Sequence, residues 1–293
     1  MKIFDLLPLA LLTTRVLFVS ADIDTQVLSV QTPDGERAYR VYTPKNTPIT
    51  SLLLTLHGFG ESSDTFLWYT DFRKYANKYG YEIILPQAIG IDGSRSWNAG
   101  GCCFPKYDDI SYIKSAIEAR RKVHGNVPVY GYGFSNGGML TEVLMCEGVV
   151  QRGVSASGVL TIGPGGNKGL DVCDEKMKEG NQAFNRSLLV FHGSVDGIVP
   201  WSGVSLFGSF PQKWNSFDRW AKRLGCSSQD EKVWTGWFTW FWRLPCPKES
   251  NNQLVFYNVQ GASHWVHLDW RDIYKVYTED VSVKFLYEGI EPY

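Results

Sequence analysis

Ser135 stands between two glycines in Gly133-Phe134-Ser135-Asn136-Gly137, directly after the apolar run Val127 to Tyr132. A serine hydroxyl is a weak nucleophile until a base takes its proton, so chemistry here needs a sharp turn that lifts the hydroxyl clear of a strand end. Glycines on either side serve such a turn, because a side chain there would collide with the strand or helix that it joins. The residues that follow, Gly138 to Glu147, set Met139, Val143, Leu144 and Cys146 on or near one helical face with no proline. That completes the strand, turn, helix order of a nucleophile elbow.

An elbow of this kind implies the triad order of an α/β-hydrolase, serine, then an acid, then histidine. Of the five histidines, only His192, His264 and His267 come after Ser135. His264 follows the apolar run Leu254 to Val259 and a Gly261-Ala262-Ser263 turn, which makes it the candidate base. His267 is its rival, and is otherwise read as a surface histidine at the start of the last helix. Asp196 lies in the loop after a second apolar run, Ser187 to Phe191, and is the candidate acid that would fix the imidazole tautomer. Asp196-Gly197 is also a sufficient sequence for an ordinary turn.

Attack on a carbonyl leaves negative charge on its oxygen, and donors must already be aimed at it. Leu52 to Leu56 runs into His57-Gly58-Phe59-Gly60, a loop suited to supply one of them. The backbone N–H groups of Phe59 and Asn136 are the expected pair. His57 is read as a residue that pins this loop, not as a second base.

The elements that must position these residues follow from pattern. A hairpin, Gln26 to Gln31 and Ala38 to Tyr42, turns at Pro33-Asp34-Gly35. Strands at Leu52 to Leu56, Glu82 to Leu85, Val127 to Tyr132, Gly153 to Ala156, Ser187 to Phe191 and Leu254 to Val259 then alternate with helices. The helices are expected near Asp64 to Tyr79, Asp108 to His124, Ser135 to Cys146, Gln212 to Leu224 and Trp270 to Tyr287, with Asp108 or Asp109 as N-cap of the second. This order predicts an α/β fold with a mostly parallel central sheet and helices on both faces. Gly163 to Asn167 reads as a glycine-rich loop; without a following Lys-Ser or Lys-Thr it is no phosphate cradle.

Five motifs, in order, make the chain resemble the secreted polyhydroxybutyrate depolymerase-like and feruloyl or acetylxylan esterases of the α/β-hydrolase fold. They are Leu56-His57-Gly58, Trp97 with Gly101-Cys102-Cys103 and Asp108-Asp109-Ile110, Gly133 to Met139 with Cys146-Glu147, His192 to Asp196 with Val199-Pro200, and Gly261 to His264. The resemblance implies a serine esterase with Ser135, Asp196 and His264 as nucleophile, acid and base; no cofactor is expected. Trp97, Trp201 and Trp265, in or beside these motifs, are candidate substrate contacts. At the base the chain departs from the family, which has glycine before the histidine and tryptophan two residues after. Here Ser263 precedes and Trp265 follows at once, so the shape of that loop is not carried over. The substrates implied are feruloyl or acetyl esters of plant polysaccharide, with polyhydroxyalkanoate as the alternative. A catalytically silent extracellular binding protein on the same fold is the reading from another class.

Residues 1–21 look like a secretory leader, with Lys2, an apolar stretch around Leu6 to Leu12 and Val19-Ser20-Ala21 as the cleavage site, leaving one catalytic domain over residues 22–293. No other segment reaches the roughly 18 apolar residues of a membrane span. The formal charge of -1 gives no attraction to nucleic acid or acidic membranes. Six cysteines suit an oxidising compartment. Cys226 and Cys246 enclose a short loop and recur in the resembled family, so they are the expected disulfide. Neighbouring Cys102 and Cys103 are expected to have separate partners or to leave one free. The absence of a Cys-x-x-Cys or paired-histidine spacing argues against zinc.

Asn185-Arg186-Ser187 is a glycosylation sequon. Between Cys226 and Cys246, Val233 to Trp242 holds Trp234, Trp237, Phe238, Trp240, Phe241 and Trp242. Their rings could stack on sugar or aromatic acyl groups, pack as an irregular hairpin onto the domain, or form a lipid-facing lid.

Overall fold

The computed structural model describes residues 23–90, 93–100, 102, 103, 106–179, 186–206, 210–227, 231–235 and 239–288. Largely apolar runs such as Leu52 to Leu56 and Ser187 to Phe191 form strands buried on both faces, as a covered parallel sheet demands. Ten strands make one sheet: β1 (Ile23–Thr32), β2 (Gly35–Pro44), β3 (Ser51–Leu56), β4 (Tyr81–Pro86), β5 (Val129–Phe134), β6 (Arg152–Ala156), β7 (Ser187–Gly193), β8 (Glu231–Thr235), β9 (Thr239–Leu244) and β10 (Gln253–Val259). Their spatial order is β1-β2-β4-β3-β5-β6-β7-β10-β9-β8. From β4 through β10 every pairing is parallel, and antiparallel hairpins close both edges.

Side chains alternate across the sheet, so each strand feeds two cores. Leu52, Leu54, Leu188 and Val190 meet α3 (Asp109–His124), α4 (Asn136–Cys146), α5 (Gly166–Glu179) and α6 (Lys213–Leu224) on one side. Leu53, Leu189 and Phe191 meet α1 (Ser63–Tyr69), α2 (Arg73–Tyr79), α7 (Val266–Tyr274) and α8 (Thr278–Tyr287) on the other. Asp108, not Asp109, caps α3, accepting the Ser111 N–H; Asp109 turns inward to a buried pair with Arg37.

Several expectations are corrected. The helix expected over Asp64 to Tyr79 is two, because Thr70 returns both its N–H and its hydroxyl to Phe66 O while Asp71 takes the Arg73 N–H and starts a new turn. The segment Trp270 to Tyr287 is also broken, at Lys275, whose left-handed backbone ends α7. The loop read at Gly163 to Asn167 leads into the unforeseen α5, which sinks Leu170, Cys173 and Met177 into the core at helical spacing.

Three disulfides are present: Cys226–Cys246 as expected, Cys146–Cys173 between α4 and α5, and Cys102–Cys103. The last overturns the expectation of separate partners. With the other four cysteines paired off, the two neighbours are left to each other.

The aromatic segment forms the regular β8–β9 hairpin on the sheet edge. Phe241 and Trp242 are buried on opposite faces, which removes them as stacking surfaces for a ligand. Trp237 and Phe238, the side chain of Trp234, the leader and Asn185 of the sequon lie outside the described residues. Among the described residues no helix is long and apolar enough to cross a membrane, and no cluster of acidic, histidine or cysteine side chains could hold a metal.

Candidate active site

Ser135 sits between β5 and α4 with φ 52° and ψ -121°, a conformation an L-residue holds only when its surroundings impose it. The imposition comes from both glycines. A Cβ on Gly133 would lie 2.1 Å from Gly137 O, and one on Gly137 would lie 2.2 Å from Leu56 O. Ser135 N–H donates to Ala156 O at the end of β6 (2.8 Å), and Met139 N–H donates to Ser135 O (2.9 Å). The hydroxyl is thus held at the C-terminal edge of the sheet, where ligands of open α/β sheets bind.

Two loops from the same edge reach it. His264, after β10, accepts the Ser135 hydroxyl at Nε2 (2.8 Å) and donates Nδ1–H to Asp196 Oδ2 (2.9 Å). Asp196, after β7, is itself fixed, since its Oδ1 accepts the N–H groups of Ile198 (2.9 Å) and Val199 (2.8 Å). Burial works against the Asp196 charge, but the His264 hydrogen bond, the two nearby histidines and the Val199 N–H outweigh it and hold the carboxyl below its ordinary range. His192 lies 3.6 Å from the same carboxylate, and burial drives its pKa down to about 3. It donates Nε2–H to Val199 O and is a fixed part of the acid loop.

His267 does not face Ser135 and is not at the surface. It is buried in the first turn of α7, stacked on Tyr69 and edge-on to Phe134, because the helix starts four residues before its expected start. His57 is fully buried below the β3 loop, with Nδ1–H donating to Gly58 O and Nε2 accepting the Ala88 N–H. Burial lowers its pKa to about 4, so it stays neutral.

Phe59 lies at the cavity and Asn136 opens α4, where helix N–H groups have no partner within the helix. A cavity of about 660 Å³ spreads over Ser135 and His264, walled by Phe59, Met139, Phe210 and Trp265, with the Cys102–Cys103 disulfide in its lining. Two of the three tryptophans named as substrate contacts are elsewhere. Trp97 is fully buried, its Nε1–H given to His57 O (2.9 Å), and Trp201 packs on Phe256 and gives its Nε1–H to Gly193 O (3.0 Å). Their indoles are spent on the framework, and only Trp265, about half exposed, borders the cavity. Glu61, also in the cavity wall, had no motif to mark it.

Strand order, the two helical layers and the turn at Ser135 define an α/β-hydrolase fold. Neither protein-family models nor curated proteins match the sequence. Among solved structures, the chain is similar to an acetyl xylan esterase from Aspergillus awamori, with 16% identity over 86% of this chain and 98% of that one and a TM-score of 0.63. It is also similar to the feruloyl esterase module from Clostridium thermocellum, solved as an S954A mutant with sinapinate (13% identity, 87% of each chain, TM-score 0.56). A third is an S-formylglutathione hydrolase from Agrobacterium tumefaciens (12% identity, 87% and 95% of the chains, TM-score 0.54).

Proposed function

We propose that this protein is a secreted serine esterase acting through an acyl-enzyme. The observation that carries the proposal is the unbroken chain from Ser135 Oγ through His264 to Asp196, with links of 2.8 and 2.9 Å, at the floor of an open cavity. As Ser135 Oγ bonds to the ester carbonyl carbon, its proton passes to His264 Nε2 and the carbonyl π electrons move onto oxygen. The N–H groups of Phe59 and Asn136 receive that oxyanion; each donor of this kind lowers a barrier by roughly 3 to 4 kcal/mol. Collapse expels the alcohol, which takes the proton from His264, and water repeats the sequence to release the acid. Asp196 keeps Nδ1 protonated and stabilises the imidazolium.

Feruloyl or acetyl esters of plant polysaccharide are the substrate class we favour. The apolar wall of Phe59, Phe210 and Trp265 suits an aromatic acyl group, and the likeness to structures of an acetyl xylan esterase and a feruloyl esterase module supports the same class. Three disulfides support an extracellular site of action.

The test is covalent labelling by a fluorophosphonate, with Ser135→Ala as control. Labelling of the wild type that vanishes in the variant is expected, and an unlabelled folded wild type would support a binding protein instead. Methyl ferulate, acetylated xylan, short nitrophenyl esters and polyhydroxybutyrate, assayed side by side, test the substrate class; preference for the last would overturn it.

A further inference from the structure

The loop from β3 to α1 brings a second acid to the site. Glu61 lines the cavity with Ser135 and His264 and is half-buried there. Its Oε2 accepts the Gly58 N–H at 2.8 Å, and its own N–H donates to Gly58 O at 3.3 Å. Side chain and backbone together close the turn that contains Phe59. Gly58 has to be glycine for this approach, since a Cβ there would stand 3.1 Å from Glu61 Oε2 and 2.9 Å from the Phe134 ring. Gly60, at positive φ, ties the turn to the loop after β4 by donating to Arg95 O (2.7 Å).

One carboxylate oxygen thus serves the loop, and the charge remains for its surroundings. Burial raises the Glu61 carboxyl; Tyr69, the Gly58 N–H and the charge of His264 pull it back. Tyr69 and Tyr132 are the other titratable groups that face Glu61. Asp196, His192 and His267 face His264, and beyond them Lys213 acts on His192 and Arg271 on His267. His192 and His267 are held neutral by burial, which leaves two acids beside His264: Asp196, bonded to Nδ1, and Glu61, in the same cavity wall.

We propose that Glu61 is a positioning residue for the reaction of Ser135: it fixes the turn that carries the Phe59 N–H, and its carboxylate supports the imidazolium formed on His264 during attack. The proposal rests on the serine esterase reading. Loop and charge are separable, because a glutamine can still accept the Gly58 N–H while carrying no charge.

In Glu61→Gln, with a melt matching the wild type, the plateau kcat should fall about tenfold with little change in KM. The acid limb of the kcat/KM profile should move to lower pH by about half a unit, since the protonated imidazole loses a neighbouring anion. Glu61→Asp, which keeps the charge, should restore the limb and part of the rate. A glutamine variant as fast as the wild type, or faster, with an unmoved acid limb would overturn the proposal. Should the glutamine variant not fold, the aspartate variant decides, and a limb displaced by half a unit or more despite the retained charge would overturn it. Failure of the esterase reading looks different, because the wild type itself would then show no Ser135-dependent hydrolysis or labelling.

Discussion

Both ends of the Asn136 side-chain amide grip the backbone of Trp97: Oδ1 accepts its N–H at 2.6 Å and Nδ2 donates to its carbonyl at 3.1 Å. Trp97 passes the constraint on through its indole N–H to His57 O, one residue before the Gly58 turn. The turn at Ser135 and the loop that carries Phe59 are therefore braced against each other by side chains as well as by the sheet. Asn136→Ala keeps its own backbone N–H but strands the buried N–H of Trp97, whose carbonyl still accepts the Ala99 N–H. We expect a loss of about 1 to 3 kcal/mol in a denaturant melt and a fall in kcat larger than any rise in KM for a nitrophenyl ester.

Asp196→Asn retains an oxygen for the N–H groups of Ile198 and Val199 but removes the anion that holds His264 Nδ1–H. Turnover should drop by roughly 10³ to 10⁴ while the melt changes little. Undiminished turnover would place the acid elsewhere.

Acid should destabilise the fold through its buried histidines. Burial depresses His57 to about 4 and both His192 and His267 to about 3, against about 6.5 for an unfolded histidine. Between pH 6.5 and those values the unfolded chain binds protons that the native one refuses, so stability falls as pH falls through that window and levels off below it. The depressed Asp196 carboxyl adds a further loss at lower pH, while Glu61, Asp109 and Glu279, raised by burial, act with the opposite sign. In His57→Gln, which retains an acceptor for the Ala88 N–H, the melting temperature should decline less steeply from pH 6.5 to 4; an unchanged slope would show that His57 does not contribute.

Removing the Cys226–Cys246 bridge by a double alanine substitution opens a loop of sequence separation 20. The chain-entropy estimate gives a loss of about 3 kcal/mol. For a protein of this size that corresponds to a drop of roughly 5 °C, readable by calorimetry.

Trp265 and Trp97 should respond in opposite ways. Trp265→Ala at the cavity rim is expected to raise KM for an aryl ester about two- to tenfold without moving the melt. Trp97→Phe, which strands His57 O, should lower the melt and leave KM nearly unchanged.

Local pattern carried far in this chain. Apolar runs marked the six central strands because a sheet covered on both faces tolerates little else, and the glycines at 133 and 137 marked the elbow because no Cβ fits there. The helix breaks at Thr70 and Lys275 were less legible, since each depends on which backbone groups a side chain or a left-handed residue satisfies. The α5 helix was hidden by glycines at its start, although Leu170, Cys173 and Met177 kept the period.

By itself the sequence determined the strand alternation, the elbow, and a short set of histidines and acids in the right order, because these depend on neighbours along the chain. Which tryptophan borders the cavity, that Cys102 bonds to Cys103, that His267 is buried against Tyr69, and that Glu61 shares a wall with His264 were decided only in three dimensions. The disulfide of neighbours follows from how the other four cysteines pair, and the remaining outcomes turn on packing between segments that the chain separates by many residues and the fold gathers into one place.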